Sequence, residues 1–429
     1  MEGSFTDVKG RDAAASAAGA RVDYYRRFLL RHRGLAAVWA AQVVSQLGDG
    51  MYLVALLWLT LKLANSGLAV STTLLAQLIP YAAFGLVAGA LVDRWNRRST
   101  MVASDVVRGL VVLVIPLLSL FGDVHLYEVF ATSFLLASAA QFFDPAKVAL
   151  VPRLVEPDNL VRANALLVGT RQVLFALGPS VGGLLVGFFG PVGVFVIDAV
   201  TFFVSAALLL SVHDGRDGRR VPLRPRGEQP HLLEDVRQGL AYILHAPLLR
   251  TLFVTGTMIS FVLSPLPVLV PLYTERVLDV GATAFGGLMS VIFIGFLAGA
   301  VIMGALGPKV GKGPLAIGGV AGAGVASLLF ALGLPLPITL LIGAAGGTCI
   351  GLLNVAETTV LQEQSEDTLR GRVFAAYESF TQSGRAISLV AAGALADLIG
   401  VRQTFVLVGA ITLANGLWLG LDRRVRQTR

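Results

Sequence analysis

Apolar runs of about 20 residues recur along nearly the whole chain, each set off from the next by a short polar turn. A run of that length carries a helix across a hydrocarbon core roughly 30 Å thick, at about 1.5 Å of rise per residue. Lipid gives main-chain N–H and C=O groups nothing to bond to, so such runs close their hydrogen bonds internally and are predicted to be helices. Six are predicted near residues 35–62, 68–92, 101–121, 126–148, 164–188 and 191–212. Six more follow near 251–273, 282–306, 314–334, 337–361, 373–397 and 401–421. The predicted fold class is an all-α membrane protein of twelve transmembrane helices in two pseudo-symmetric six-helix bundles. The bundles occupy 35–212 and 251–421, with an N-terminal arm at 1–34, a linker at 213–250 and a basic tail at 422–429.

Composition agrees with a bilayer environment. Of 429 residues, 55% are hydrophobic and 14% charged, and the mean hydropathy is +0.74; an ordinary soluble domain carries roughly a quarter charged residues. The net charge of +7 comes from basic residues in short loops beside the apolar runs, not from one face of a soluble module, which argues against nucleic acid as a partner. With the N-terminus placed inside, the inner loops hold most of the 34 lysines and arginines. Only Lys62, Arg276 and Arg402 then fall outside, and Arg108, Arg171 and Arg385 within spans. The expectation is a multi-pass protein of the cytoplasmic membrane with both termini cytoplasmic. Residues 1–34 are polar and end in Arg26, Arg27, Arg31 and Arg33 with no short apolar segment and cleavage site before the first span, as a retained cytoplasmic arm would. Cys349 lies inside an apolar run, so no disulfide or cysteine metal site forms within one chain.

The linker begins as a Gly/Pro/Arg-rich stretch, then changes character. Leu232, Leu233, Val236, Leu240, Ile243 and Leu244 share one helical face, with Glu234, Asp235 and Arg237 off it, which predicts an amphipathic helix at the cytoplasmic interface. The halves on either side echo each other. Gly89-Ala90-Leu91 runs into Asp93-Arg94-Trp95-Asn96-Arg97-Arg98 after the second span, and Gly304-Ala305-Leu306 into Pro308-Lys309-Val310-Gly311-Lys312 after the eighth. Asp158, Leu160 and Arg162 before the fifth span are matched more faintly by Asp367, Leu369, Arg370 and Arg372 before the eleventh. Repeated halves imply a pathway at their interface, opened to either side by rocking one half against the other.

The stretch Gly89 to Met101, GALVDRWNRRSTM, resembles the signature loop between spans two and three of the major facilitator superfamily. The resemblance implies that Gly89, Asp93, Arg94, Arg97 and Arg98 form a conformational latch. Asp93 would sit against the positive N-terminal end of the eleventh span, at Arg372, and hold the cytoplasmic side closed. The usual glycine of the loop's turn is Asn96 here, a residue that tolerates the left-handed conformation. Gly178, Pro179, Gly182 and Gly183 in the fifth span resemble the G-P-x-x-G-G motif of exporters in the superfamily, where small residues let helices meet closely. The run from Gln141 through Phe143, Asp144 and Pro145 to Pro152, with Ala163-Asn164 and Gly371-Arg372-Val373-Phe374, resembles the branch containing enterobactin exporters and macrolide efflux proteins. The fourth span holds no arginine until Arg153, so the arginine-glycine machinery of many proton-coupled members does not carry over.

Charges inside spans cost a few kcal/mol each at mid-membrane unless paired or hydrated, so they point to function. Asp49 stands about two thirds of the way across the first span and is the leading candidate for proton coupling, followed by Glu357 and Glu378. Gln42, Gln46, Arg171, Gln172, Asn354, Gln382 and Arg385 are candidates to line a substrate cavity. Asp105 and Arg108, three apart on one helical face, are predicted to pair, and Asp198 to find a structural partner. The five histidines, His32, His125, His213, His231 and His245, all fall in loops or tails, which leaves no metal or haem site and no cofactor. No phosphate-binding G-x-x-x-x-G-K-[ST] loop occurs, against direct drive by ATP. The expectation is a monomeric secondary exporter, not an enzyme, moving a small amphipathic molecule such as a drug outward by alternating access in exchange for protons. Export of a siderophore or lipid-like metabolite, with Arg171 or Arg385 as counter-charge, is the alternative within transport; a membrane scaffold or sensor that moves nothing is the alternative outside it.

Overall fold

The computed structural model describes residues 25–92, 94–212, 232–366 and 369–427. Those residues form helices and connecting turns, with no strand among them. In chain order α1 is Arg33–Ala64, α2 Gly67–Val92, α3 Arg97–Val112 continued by Val114–Phe121, and α4 Leu126–Ala140 continued by Phe143–Leu154. The 51-residue helix Leu160–Leu210 turns at Gly190, whose φ of 69° is open to glycine and strained for other residues. It is two arms, α5 (160–189) and α6 (191–210). The linker helix α7 is Leu232–His245, and α8 is Pro247–Leu263 continued by Leu266–Arg276. Then come α9 (Ala282–Val310), α10 (Lys312–Ala331), α11 (Leu336–Gln364), α12 (Arg370–Leu398) and α13 (Val401–Leu421).

Nine helices among the described residues are long and apolar enough to cross a membrane, the segment holding α5 and α6 counting once. The 26-residue α2 and the 29-residue α12 are also of crossing length. Each of the twelve apolar runs read from the sequence falls on helix. Large apolar side chains face outward over much of the surface, Phe121, Phe188, Leu398 and Leu417 among them, as lipid allows and water does not.

Consecutive antiparallel helices put the α1–α2, α3–α4, α5–α6, α8–α9, α10–α11 and α12–α13 turns at one end, here called distal. The linker and the remaining turns lie at the proximal end. Within the first half α5 packs on α1 through glycines: a Cβ on Gly178 would stand 2.9 Å from the Cα of Gly50, and one on Gly182 would stand 2.7 Å from the Cα of Met51. In the second half Tyr273, Phe330 and Phe405 form an aromatic cluster with ring centroids 5.2 to 5.5 Å apart. The linker helix is folded beneath that half, with Ile243 buried among Leu249, Leu252, Phe253, Val360, Leu361 and Val373. Gly239 lies directly against the carbonyl of Arg372 at the start of α12. At the proximal end of the first half, the imidazole of His32 meets the Glu156 carboxylate at 2.8 Å. That hydrogen bond, helped by one from Asn159, holds the Glu156 carboxyl at about 2, below the usual carboxylate range.

Hydrogen bonds joining the halves cluster toward the distal side. Ser180 donates its N–H to Ser290 Oγ at 2.8 Å, and Thr283 donates to the Gly183 carbonyl at 3.1 Å. Ser71 donates to the Leu389 carbonyl at 2.6 Å, and Lys62 meets Glu275 at 2.5 Å. Phe175 of α5 packs edge-on against Phe293 of α9, with centroids 4.4 Å apart.

Candidate functional site

Beneath the distal contacts lie two adjoining cavities, one inside the first half and one between the halves. One, about 310 Å3, is lined from α1 by Ser45, Gln46, Asp49 and Tyr52, and from α3 and α4 by residues that include Arg108 and Asp144. The other, about 350 Å3, is lined by α2 and α12, with Tyr81, Gln382 and Arg385 as its polar groups of largest reach. Gln77 and Gln141 line both, so the two lobes are neighbours. Leu53, Leu136, Leu74, Leu78 and Leu389 supply the apolar wall. Together the two lobes reach the size of ordinary small-molecule sites, roughly 300 to 1,000 Å3, and have their mixed lining.

The first lobe is built on a charged network. Arg108 is nearly fully buried and forms a close ion pair with Asp105 on its own helix, and Ser205 of α6 donates to the other Asp105 oxygen at 2.5 Å. The guanidinium is also sandwiched by aromatic rings, its carbon 4.4 Å from the Phe202 centroid and 4.8 Å from that of Phe143. Its second nitrogen faces Asp49 at 3.8 Å. Asp105 is completely buried, whereas the Asp49 side chain keeps 46% of its surface accessible, on the cavity. Arg108 is therefore committed to Asp105 and shared only loosely with Asp49. Lys147 forms a 2.7 Å pair with Asp144 at the lobe's edge. Asp198, fully buried on α6, accepts from Thr201 Oγ1 at 3.2 Å, lies against Gly48 of α1, and has a second oxygen with no hydrogen-bond partner among the described residues.

The other sequence candidates divide by place. Gln46, Asp49, Gln382 and Arg385 line the central space, and no carboxylate lies within 4 Å of Arg385 among the described residues. Gln42 is 1% exposed and donates to the Leu167 carbonyl at 2.9 Å, tying α1 to α5 inside the bundle. Arg171 and Gln172 are exposed on α5, Arg171 close enough to act on Asp144 through its charge. Asn354 and Glu378 are exposed and line neither lobe. Glu357 is buried between α8, α11 and α12, against Gly256 and the Tyr377 hydroxyl, away from both lobes.

Of the loop after α2, Asp93 lies outside the described residues. Gly89 is placed with open space where a Cβ would be. Arg94 is exposed, Arg97 and Arg372 are partly exposed, and Arg98 caps the end of α6, donating to the Leu209 carbonyl at 3.1 Å and to that of Leu210. The motif glycines of α5 divide their work. Gly178 and Gly182 face α1, and Gly183 faces the other half, where a Cβ would stand 2.6 Å from the Ala282 carbonyl oxygen and 3.0 Å from the Cα of Gly286.

Sequence reasoning passed over Gln77 and Tyr81, although a glutamine three residues before Pro80 in an otherwise apolar run was a usable signal. It also passed over Asp397 and Arg276, which look from sequence like ordinary loop charges at span ends.

Two repeated helical halves and a mixed cavity, on helices long and apolar enough to cross a bilayer, make a multi-pass membrane protein of the major facilitator fold. Solved structures share this fold: the nucleoside transporter NupG has a TM-score of 0.73 at 11% identity, covering 92% of this chain and 100% of that one. A bacterial homologue of the iron transporter ferroportin in an inward-facing state has a TM-score of 0.71 at 16% identity, covering 91% of this chain and 99% of that one. Residues 29–429 match the family described as transmembrane secretion effector, and the chain belongs to that family of the major facilitator superfamily. It is 28% identical to the multidrug efflux pump Tap of Mycolicibacterium fortuitum over 402 residues, covering 92% of this chain and 96% of the relative. It is 22% identical to macrolide efflux protein A of Streptococcus pyogenes, covering 91% and 96%.

Proposed function

We propose that this protein is a twelve-span, proton-coupled exporter of small amphipathic molecules, drugs or antibiotics among them, in a bacterial cytoplasmic membrane with both termini inside. The observation that carries this reading is the position of Asp49: a carboxylate in mid-span, open to a cargo-sized cavity, whose nearest cation is already held by another carboxylate. A proton can reach it from the cavity, and neutralising it removes the pull on Arg108 across 3.8 Å. Arg108 would then settle wholly on Asp105, which alters the contact between α1 and α3 and biases the rocking of the halves. Glu357 and Glu378 are secondary proton candidates, Glu357 because its buried Oε1 has no partner among the described residues. Likeness to Tap and macrolide efflux protein A, both named as efflux proteins, supports an outward direction of transport. With termini inside, the distal closure makes this conformation the one that admits cargo from the cytoplasm.

Cargo would place its apolar body on the leucine wall and its polar groups on Gln46, Gln77, Gln141 and Gln382. A second reading, an anionic cargo such as a siderophore or lipid-like metabolite, is favoured by one observation: Arg385 faces the second lobe without a carboxylate partner among the described residues. Efflux from everted vesicles across a panel of cationic drugs, neutral macrolides and anionic siderophores, with and without a protonophore, tests both. Protonophore-sensitive movement of amphipathic drugs, lost in Asp49→Asn while binding persists, is the expected result. Movement of anions alone, lost in Arg385→Gln, would install the second reading, and no movement of any cargo would remove both.

A further inference from the structure

We infer that Asp397 is the latch that holds the distal side shut, the counterpart at the other end of the same helix pair of the loop aspartate Asp93. Asp397 sits in the last turn of α12, where the helix's own carbonyls disfavour a negative charge. Within its own half it meets one cation, Arg276 of α8. Its carboxylate also reaches across to the first half and takes three donors from the start of α2: the Gly67 N–H at 2.9 Å, the Leu68 N–H at 3.1 Å and the Ser66 hydroxyl at 2.7 Å. The first N–H groups of a helix have no partner within it; Ser66 accepts from that of Ala69, and the carboxylate supplied by the opposite half takes those of Gly67 and Leu68.

The surroundings commit the contact to one geometry. Asn65 takes a left-handed φ of 45°, which turns the chain from α1 into α2 within two residues and points the α2 terminus at α12. Arg276 of α8 braces the carboxylate from its own half at 3.0 Å, and also donates to the Asn65 carbonyl at 2.5 Å. Gly67 and Gly393 interlock just below, a Cβ on Gly67 standing 2.7 Å from the Gly393 carbonyl oxygen. Opening the distal side requires Asp397 to surrender the three α2 donors together while keeping Arg276.

α2 and α12 run antiparallel across the interface. α2 ends at the loop carrying Asp93, which by resemblance is aimed at the start of α12; α12 ends at Asp397, which caps the start of α2. With the loop aspartate acting as the resemblance implies, rocking the halves would exchange one cap for the other. The inference goes beyond the proposed export function, because it concerns which state the empty protein occupies and requires no cargo or proton gradient.

Double electron–electron resonance on full-length protein in liposomes tests it, with spin labels at Phe121→Cys and Leu332→Cys, two distal positions on opposite halves, in a Cys349→Ser background. Asp397→Ala is expected to raise the distal-open population about tenfold, the scale of a single strong interdomain coupling. Asp397→Asn, which keeps an acceptor oxygen but loses the charge, should give a smaller rise in the same direction, as should Arg276→Gln. Asp93→Ala should move the population the other way. An unchanged distance distribution in Asp397→Asn and Arg276→Gln, with or without a loss of thermal stability, would reduce Asp397 to a structural contact and overturn the inference. If Asp397→Ala does not fold, those two variants decide the matter.

Discussion

The buried charges of the first half are arranged so that a cation is shared unequally between two acids. Arg108 costs a few kcal/mol in a bilayer unless satisfied, and two rings and one buried carboxylate satisfy it before Asp49 is counted. Removing the cation alone strands Asp105, which is completely buried. Arg108→Gln should therefore lower stability by about 3 to 5 kcal/mol, the usual result of breaking one side of a buried pair. Arg108→Gln with Asp105→Asn should recover most of that loss, as measured by thermal unfolding in detergent. A double variant no more stable than the single one would mean that the ring contacts and not the ion pair dominate. The Asp105–Arg108 pairing was legible from their spacing of three on a helix. The approach of Asp49 to Arg108 was not, because it depends on how α1 is set against α3, a contact between distant segments that spacing along one helix does not fix.

At the scale of elements, the helices were readable because lipid forces one solution on long apolar runs. Their faces were harder to read. Gln42, polar in an apolar span, reads as a cavity residue, yet it is spent on the Leu167 carbonyl, since a helix interface in lipid rewards any polar side chain that can satisfy a neighbour. The linker helix is a related case: its apolar face suits a membrane surface equally well, and it lies against α12 because Gly239 admits the Arg372 carbonyl. Gly239→Leu should push α7 off that carbonyl. Hydrogen exchange over Leu232–His245 should then rise at least about tenfold, with the long helices unaffected, as expected for the release of a locally held unit. Unchanged protection would mean that α7 is held by Ile243 and its neighbours alone.

At the scale of the whole molecule, the glycines of α5 and the caps on α2 describe one closed side above one cavity. Gly178 and Gly182 bind α5 to its own half, while Gly183 lets it touch α9 in the other. The motif that resembles those of exporters thus stands at a close contact between the halves. Its sequence was readable, but its division between two partners needed the fold. In the mechanism proposed above, contacts between the halves set the states and Asp49 is the point where a proton would enter the balance.

The most direct measurement is proton movement in liposomes holding the purified protein and a trapped pH indicator, with an amphipathic drug added on one side. Drug crossing the membrane is expected to drive protons the opposite way in fixed proportion, and Asp49→Asn to abolish the proton movement while still binding the drug. Drug crossing at full rate without any proton movement, in the unaltered protein, would contradict that coupling.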